Sequence, residues 1–211
     1  MNRFKVVAFD CDGVMFDTEN ANRSYYNDIL AFLGRPPMTE EQFRYAQMQT
    51  VDKSIAMLFP DEKDYFAAQQ YRKENGYAPY IRYMKMAPDL IPVLEYLRPG
   101  YGTAVATNRT DTMQRVLEIH RIEKYFDKVV TALDVVHPKP APDVLICLLA
   151  HFNVNAPELL YIGDSKVDEA AAEAAGVSFA ACGNPELDAD YHITGLGEIK
   201  AILKKRTHHD G

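Results

Sequence analysis

The sequence predicts an α/β fold: a parallel β-sheet covered by helices on both faces, with a helical block inserted after the first strand. Three observations carry this. Short apolar, β-branched runs recur along the chain. Segments with helical apolar spacing alternate with them. Residues 18–86 contain no recognisable strand.

The strands come first. FKVVAFD (4–10) is short, continuous and β-branched, the pattern of a strand buried on both sides. GTAVAT (102–107) follows the turn-like RPGY, and KVVTA (128–132), LLYIG (159–163) and VSFAA (177–181) complete five strands. Between them, DLIPVLEYLR (89–98) places Leu90, Ile91, Leu94 and Leu97 on one helical face. TDTMQRVLEIH (110–120) opens with a Thr/Asp cap signal and spaces Met113, Val116 and Leu117 helically. PDVLICLLAHF (142–152) carries proline and aspartate in its first turn, and the alanine-rich SKVDEAAAEAAG (165–176) stops at Gly176. Within 18–86, four stretches with Thr or Asp caps read as helices, and this block is tyrosine-rich and near neutral; its aromatic residues at helical spacing are expected to be core.

Composition narrows the function. A chain of 211 residues, 47% hydrophobic, builds a core without staples. The net charge is −7 and no Lys/Arg-rich block breaks it, which argues against a nucleic-acid groove. The closing KKRTHHD reads as solvated surface. Cys11, Cys147 and Cys182 are odd in number and scattered, so neither a disulfide framework nor a CxxC metal site is spelled out. No apolar stretch approaches the ~20 residues that span a bilayer, and the first residues run into a strand without a signal-peptide pattern. A cytoplasmic protein with no membrane partner is the expectation.

In open parallel sheets, ligands bind beyond the carboxyl ends of the strands. Those ends here are Asp10-Cys11-Asp12-Gly13, Thr107-Asn108-Arg109, a proline-flanked Lys139, and Gly163-Asp164-Ser165 with Asp168 one helical turn later. Together they form an acidic crevice with Lys139 as its nearby cation. Two carboxylates ~4 Å apart repel by roughly 4 kcal/mol at an effective dielectric of 20. One lysine does not offset several. A hard divalent cation such as Mg²⁺, which takes one or two carboxylates plus phosphate oxygens and water, does. The same groups suit phosphoryl chemistry: a carboxylate nucleophile, a second carboxyl two residues on as acid and base, and the Thr107 hydroxyl and following backbone N–H groups as donors to a phosphoryl oxygen. Gly13 permits tight backbone passage.

In these residues the sequence resembles the haloacid dehalogenase superfamily, in the subgroup of phosphoglycolate phosphatase and β-phosphoglucomutase. FDCDGVMFDT is similar to the family's DxDG start, VATN to its Thr/Ser motif, KPAPD to its lysine motif and GDSKVDEAAAEAAG to its GDxxxD motif. The resemblance implies a Rossmann-like parallel sheet core (1–17 and 87–211) with an inserted α-helical cap (18–86). It implies Asp10 as nucleophile, Asp12 as general acid/base with its backbone carbonyl on Mg²⁺, Thr107 on the phosphoryl group, Lys139 stabilising it and the nucleophile, Asp164 on Mg²⁺, and Asp168 supporting the metal or anchoring Lys139. Gly13, Asn108 and Arg109 are candidate phosphate-binding residues. Gln47, Gln49 and Thr50 are candidates in a cap loop, 46–53, where relatives often carry a glycine that this chain lacks.

The activity so implied is Mg²⁺-dependent hydrolysis of a small phosphorylated metabolite through an aspartyl-phosphate, by a monomer or dimer. A phosphomutase of a sugar phosphate is the alternative on the same core, and a non-catalytic binding protein is the alternative of another class. Dehalogenation would need no metal and would leave Asp12 surplus.

Overall fold

The computed structural model describes residues 3–47 and 51–204. In chain order the elements are β1 (Val6–Phe9), β2 (Phe16–Asp17), α1 (Glu19–Phe32), α2 (Glu40–Gln47), α3 (Val51–Leu58), α4 (Glu62–Asn75), β3 (Lys85–Met86), α5 (Leu90–Leu97), β4 (Gly102–Ala106), α6 (Met113–His120), β5 (Lys128–Val130), α7 (Asp143–Phe152), β6 (Leu159–Gly163), α8 (Lys166–Ala175), β7 (Ser178–Cys182), β8 (Tyr191–Ile193) and α9 (Ile199–Lys204). They divide into two compact units, Met1–Asp17 with Lys85–Gly211, and Thr18–Met84. No helix among the described residues is long and apolar enough to cross a membrane.

The first unit is the α/β fold the sequence predicts. Its six-stranded sheet has the order β5-β4-β1-β6-β7-β8, and all its pairs are parallel. β1 lies in the middle because it is apolar on both faces: Val6, Val7, Ala8 and Phe9 are all buried. On one face Val6, Ala8, Ala104, Ala106, Leu159 and Tyr161 join Val144, Leu145 and Leu148 of α7 and Ala171 and Ala172 of α8 in one core cluster. On the other, α5 packs against β4 and α9, with Leu90, Leu94 and Leu97 fully buried. The chain runs outward from β1 to β4 and β5, then returns to β6 on β1's other side. Strand order therefore reverses between β1 and β6, and the crevice at that reversal is where such sheets place ligands.

Four local departures from the sequence expectations have physical causes. β5 ends at Val130, short of Ala132, because the Thr131 N–H and hydroxyl turn to the Asp134 carboxylate (2.7 Å each). α6 starts at Met113 behind Thr112, not at the earlier Thr110/Asp111, and the Thr112 hydroxyl accepts from Arg109 Nη1 (3.2 Å) rather than from its own helix. β8 pairs parallel with β7 through three residues, too few to show a period. The antiparallel pair β2–β3, with Phe16 opposite Met86 and Asp17 opposite Lys85, places a strand inside the stretch 18–86 that was expected to have none.

The second unit is helical. Ala21, Tyr25, Tyr26, Ile29 and Leu30 form the buried face of α1. Thr39 and Gln42 exchange hydrogen bonds at the start of α2 (2.8 and 3.2 Å), and the Asp61 carboxylate accepts from the N–H groups of Lys63 and Asp64 at the start of α4 (3.0 and 3.2 Å). The expectation that the tyrosines are core holds for Tyr25, Tyr26 and Tyr80, which are buried, and fails for Tyr45 and Tyr83, which are exposed. The Tyr25 ring meets Tyr26, Tyr77 and Tyr80 edge-on at 5.2–5.3 Å, while Tyr77 donates to Asn22 (2.6 Å) and Tyr80 to Asp28 (2.8 Å).

Candidate active site

Strand register assembles the site. β1 pairs Phe9 with Val105 of β4 and with Ile162 of β6, so the residues just beyond these strands, Asp10, Thr107 and Asp164, emerge side by side. The Asp10 N–H donates to Ile162 O (2.9 Å) and the Thr107 N–H to Val130 O (3.1 Å), carrying strand pairing up to the first candidate residue of each segment.

Lys139 is the centre. Its side chain is 2% exposed. Nζ donates to Asp10 Oδ1 (2.7 Å), Asp168 Oδ1 (2.6 Å) and Tyr161 Oη (2.9 Å), and lies 3.3 Å from the Ala106 carbonyl. Burial works against the charge, but the two carboxylates win and hold the lysine above its ordinary pKa. The loop that delivers it is pinned by Asn108, whose amide donates to Lys139 O (2.8 Å) and accepts from Lys139 N (2.9 Å).

Asp168 is committed on both oxygens. Oδ1 takes Lys139 and the Tyr161 hydroxyl (2.7 Å). Oδ2 takes the Ser165 hydroxyl and the N–H groups of Ser165 (3.1 Å) and Asp164 (3.3 Å). Burial opposes its charge, yet Lys139 and these donors bring its pKa below the ordinary carboxylate range. It is at once the capping-box acid of α8 and an anchor for the lysine. Asp10 and Asp164 behave oppositely. Burial, reinforced for Asp10 by Asp168 and Asp12 and for Asp164 by Asp10 and Asp168, pushes both up to about 7; Lys139 only partly offsets this.

Carboxylate oxygens of Asp10, Asp164 and Asp168 lie within 4.8 Å of one another. With all three carboxylates ionised, one ammonium leaves two negative charges uncompensated. No described side chain donates to the Asp164 carboxylate, which approaches the backbone of Gly13 so closely that a Cβ there would sit 1.9 Å from its Oδ2. Gly13 is at φ +80, so the position excludes a side chain on both counts. Hard oxygen donors, a charge of two to balance and a cradle kept clear of side chains fit a divalent cation.

Thr107 is 1% exposed; its hydroxyl accepts from the Arg109 N–H (3.1 Å) and keeps its own proton to give. Asp12 lies apart from the lysine cluster. The Arg109 fork grips it through Nη2 to Oδ1 (2.7 Å) and Nε to Oδ2 (2.8 Å), so Arg109 is a second cation beside Lys139. Gln47 ends α2 and is exposed, while Gln49 and Thr50 lie outside the described residues.

Tyr161 is a further member of the cluster that no sequence motif marks. It faces the side of the sheet where Ala8, Ala104 and Ala106 leave room for a ring, and burial lifts its hydroxyl well above the usual tyrosine pKa. The signal was present: a tyrosine in the doubly covered strand LLYIG must find a polar partner for its hydroxyl. The Asp12–Arg109 pair had no comparable signal, because the two residues are 97 positions apart.

Residues 7–182 match the family described as haloacid dehalogenase-like hydrolase. The chain is 29% identical to a phosphoglycolate phosphatase of Aliivibrio fischeri, covering 83% of each chain. It is 27% identical to the pyrophosphatase PpaX of Bacillus velezensis, covering 95% of this chain and 96% of the relative. Among solved structures, a haloacid dehalogenase-superfamily hydrolase (subfamily IA, variant 1) from Geobacter sulfurreducens superposes with a TM-score of 0.89 at 36% identity, covering 96% of this chain and 97% of the other.

Removing the lysine should expose its electrostatic role. In Lys139→Met, Asp10 and Asp168 lose their shared cation, at a cost of about 3–5 kcal/mol when both are ionised. Low pH relieves that cost by protonating them. Urea unfolding in chelator should show a larger deficit at about pH 8 than at about pH 5. An equal deficit at both would contradict the electrostatic origin.

Proposed function

The chain belongs to the haloacid dehalogenase-like hydrolase family, and from that premise we propose that it is a phosphatase of small phosphorylated metabolites, working through a phosphorylated Asp10. The observation that carries the reading is the meeting of Asp10, Asp164 and Asp168 around Lys139, with Thr107 beside them. Relatives named phosphoglycolate phosphatase and pyrophosphatase support hydrolysis of a small phosphate compound over transfer back to a sugar.

In the first half-reaction an Asp10 oxygen attacks phosphorus. Lys139 holds Oδ1 and fixes the rotamer, leaving the other oxygen for attack. The Thr107 hydroxyl donates to a phosphoryl oxygen. The bond to the leaving oxygen breaks, and Asp12 supplies the proton. In the second half-reaction Asp12 takes a proton from water, which attacks phosphorus and returns Asp10 as carboxylate. Asp10, Asp164 and the Asp12 backbone carbonyl are the groups to hold Mg²⁺; Asp168, with both oxygens engaged, steadies Lys139. Mg²⁺, when bound, neutralises charge on the phosphoryl oxygens and on the acidic cluster. The helical unit, Thr18–Met84, is assigned the choice of substrate.

Two outcomes test this reading. With Mg²⁺, the protein should release phosphate from p-nitrophenyl phosphate and from members of a panel that includes phosphoglycolate, hexose phosphates and pyrophosphate. EDTA should abolish release, and Asp10→Asn should lower it about 10³-fold or more while remaining folded. Activity that survives Asp10→Asn, or that ignores chelation, would overturn the reading.

The second outcome concerns the cation. The folded pKa values of Asp10 and Asp164, about 7, exceed their ordinary value of 3.8. Protonation therefore favours the fold: their contribution is full below about pH 4 and is lost as pH rises through about 7. Mg²⁺ takes the ionised forms, so the rise in Tm on adding it should be larger at about pH 8 than at about pH 5. Asp164→Asn should abolish most of that rise. A shift independent of pH, or undiminished in Asp164→Asn, would contradict the cation site.

A further inference from the structure

The two half-reactions ask opposite things of Asp12: first a proton to give, then a lone pair to receive one. The observed geometry suits the second. Both Asp12 oxygens accept from the Arg109 fork, and each keeps a lone pair with which to accept from water. Arg109 is itself held firmly. Its side chain is 9% exposed against 39% for Asp12, Nη1 donates to the Thr112 hydroxyl at the start of α6 (3.2 Å), and its backbone N–H donates to Thr107 Oγ1 (3.1 Å). A planar, two-point grip of this kind fixes the plane and direction of a carboxylate, which a single lysine ammonium does not.

We infer that Arg109 is a positioning residue for the second half-reaction: it presents Asp12 as the base that activates water against phospho-Asp10, and so commits the intermediate to hydrolysis. This deepens the phosphatase reading and rests on it. In the step, water oxygen bonds to phosphorus and the bond from phosphorus to the Asp10 oxygen breaks, its electron pair returning to Asp10. The water proton passes to Asp12, which parts from one arm of the fork. That proton then goes to the leaving oxygen of the next substrate, so one ester and one water yield one alcohol and one phosphate. Arg109 acts through Asp12 and needs no contact with substrate.

A substrate whose leaving group needs no proton separates the steps. With p-nitrophenyl phosphate and Mg²⁺, kcat/KM reports phosphorylation of Asp10, and kcat reports its hydrolysis once that step is limiting. Arg109→Gln should lower kcat by about 10–100-fold. KM should fall in proportion, leaving kcat/KM within about twofold, and a burst of about one nitrophenolate per active site should precede the slow phase. The burst amplitude counts folded sites, so a merely structural loss would shrink the burst and lower kcat/KM together with kcat. Arg109→Lys keeps the charge without the fork and should recover only a minor part of kcat; if Arg109→Gln does not fold, Arg109→Lys carries the same ratio test. A parallel fall of kcat and kcat/KM, unchanged kinetics, or full rescue by lysine would overturn the inference. If the unmodified protein releases no nitrophenolate, the phosphatase reading itself fails, an outcome distinct from any of these.

Discussion

A buried ammonium group has to be surrounded by acceptors, and in this protein the acceptors of Lys139 come from three separate strand ends. Asp10 follows β1, Ala106 ends β4, and Tyr161 and Asp168 belong to β6 and the helix after it. Taking an ion of this size out of water costs several kcal/mol, returned only when hydrogen bonds are complete and short. The parallel register of β4, β1 and β6 is what makes them so, because a slip of one residue on any strand would turn its functional side chain to the other face. The sheet and the site are thus one constraint: the pairing that buries Val7, Phe9 and Val105 is the pairing that brings Asp10 and Asp164 together.

The charges divide into two compartments. One, around Lys139, carries excess negative charge and a cradle kept open by Gly13. The other, Asp12 with Arg109, is neutral in itself. This division gives two aspartates separated by a single residue opposite surroundings. Asp10 is buried among like charges that favour a bound cation, whereas Asp12 is half-exposed and held by a planar donor. The intervening Cys11 is fully buried; burial and Asp12 drive its thiol well above the usual range, against a hydrogen bond from Arg109.

Much of this was legible in the residues. β1, β4 and β6 declared themselves by continuous apolar runs, α8 by alanines and a terminal glycine, and the acidic strand ends by carboxylates too costly to place there without a counter-charge. What escaped was either very short or very long in range. β2, β3 and β8 have two or three residues each, fewer than a period can register. The contacts from Arg109 to Asp12 and from Tyr161 to Lys139 are consequences of which strands become neighbours, and local spacing holds no trace of them. Asn108 is the intermediate case: its place beside Thr107 suggested phosphate contact, while its amide pairs with the backbone of Lys139 and holds the lysine loop.

Direct trapping tests whether Asp10 is the group that bonds to phosphorus. Enzyme mixed with an aryl phosphate and Mg²⁺, quenched in acid, reduced with borohydride and mapped by peptide mass spectrometry should carry its mark at residue 10 alone. A mark at Asp12 or Asp164, or rapid phosphate release with no covalent intermediate at any time point, would contradict it.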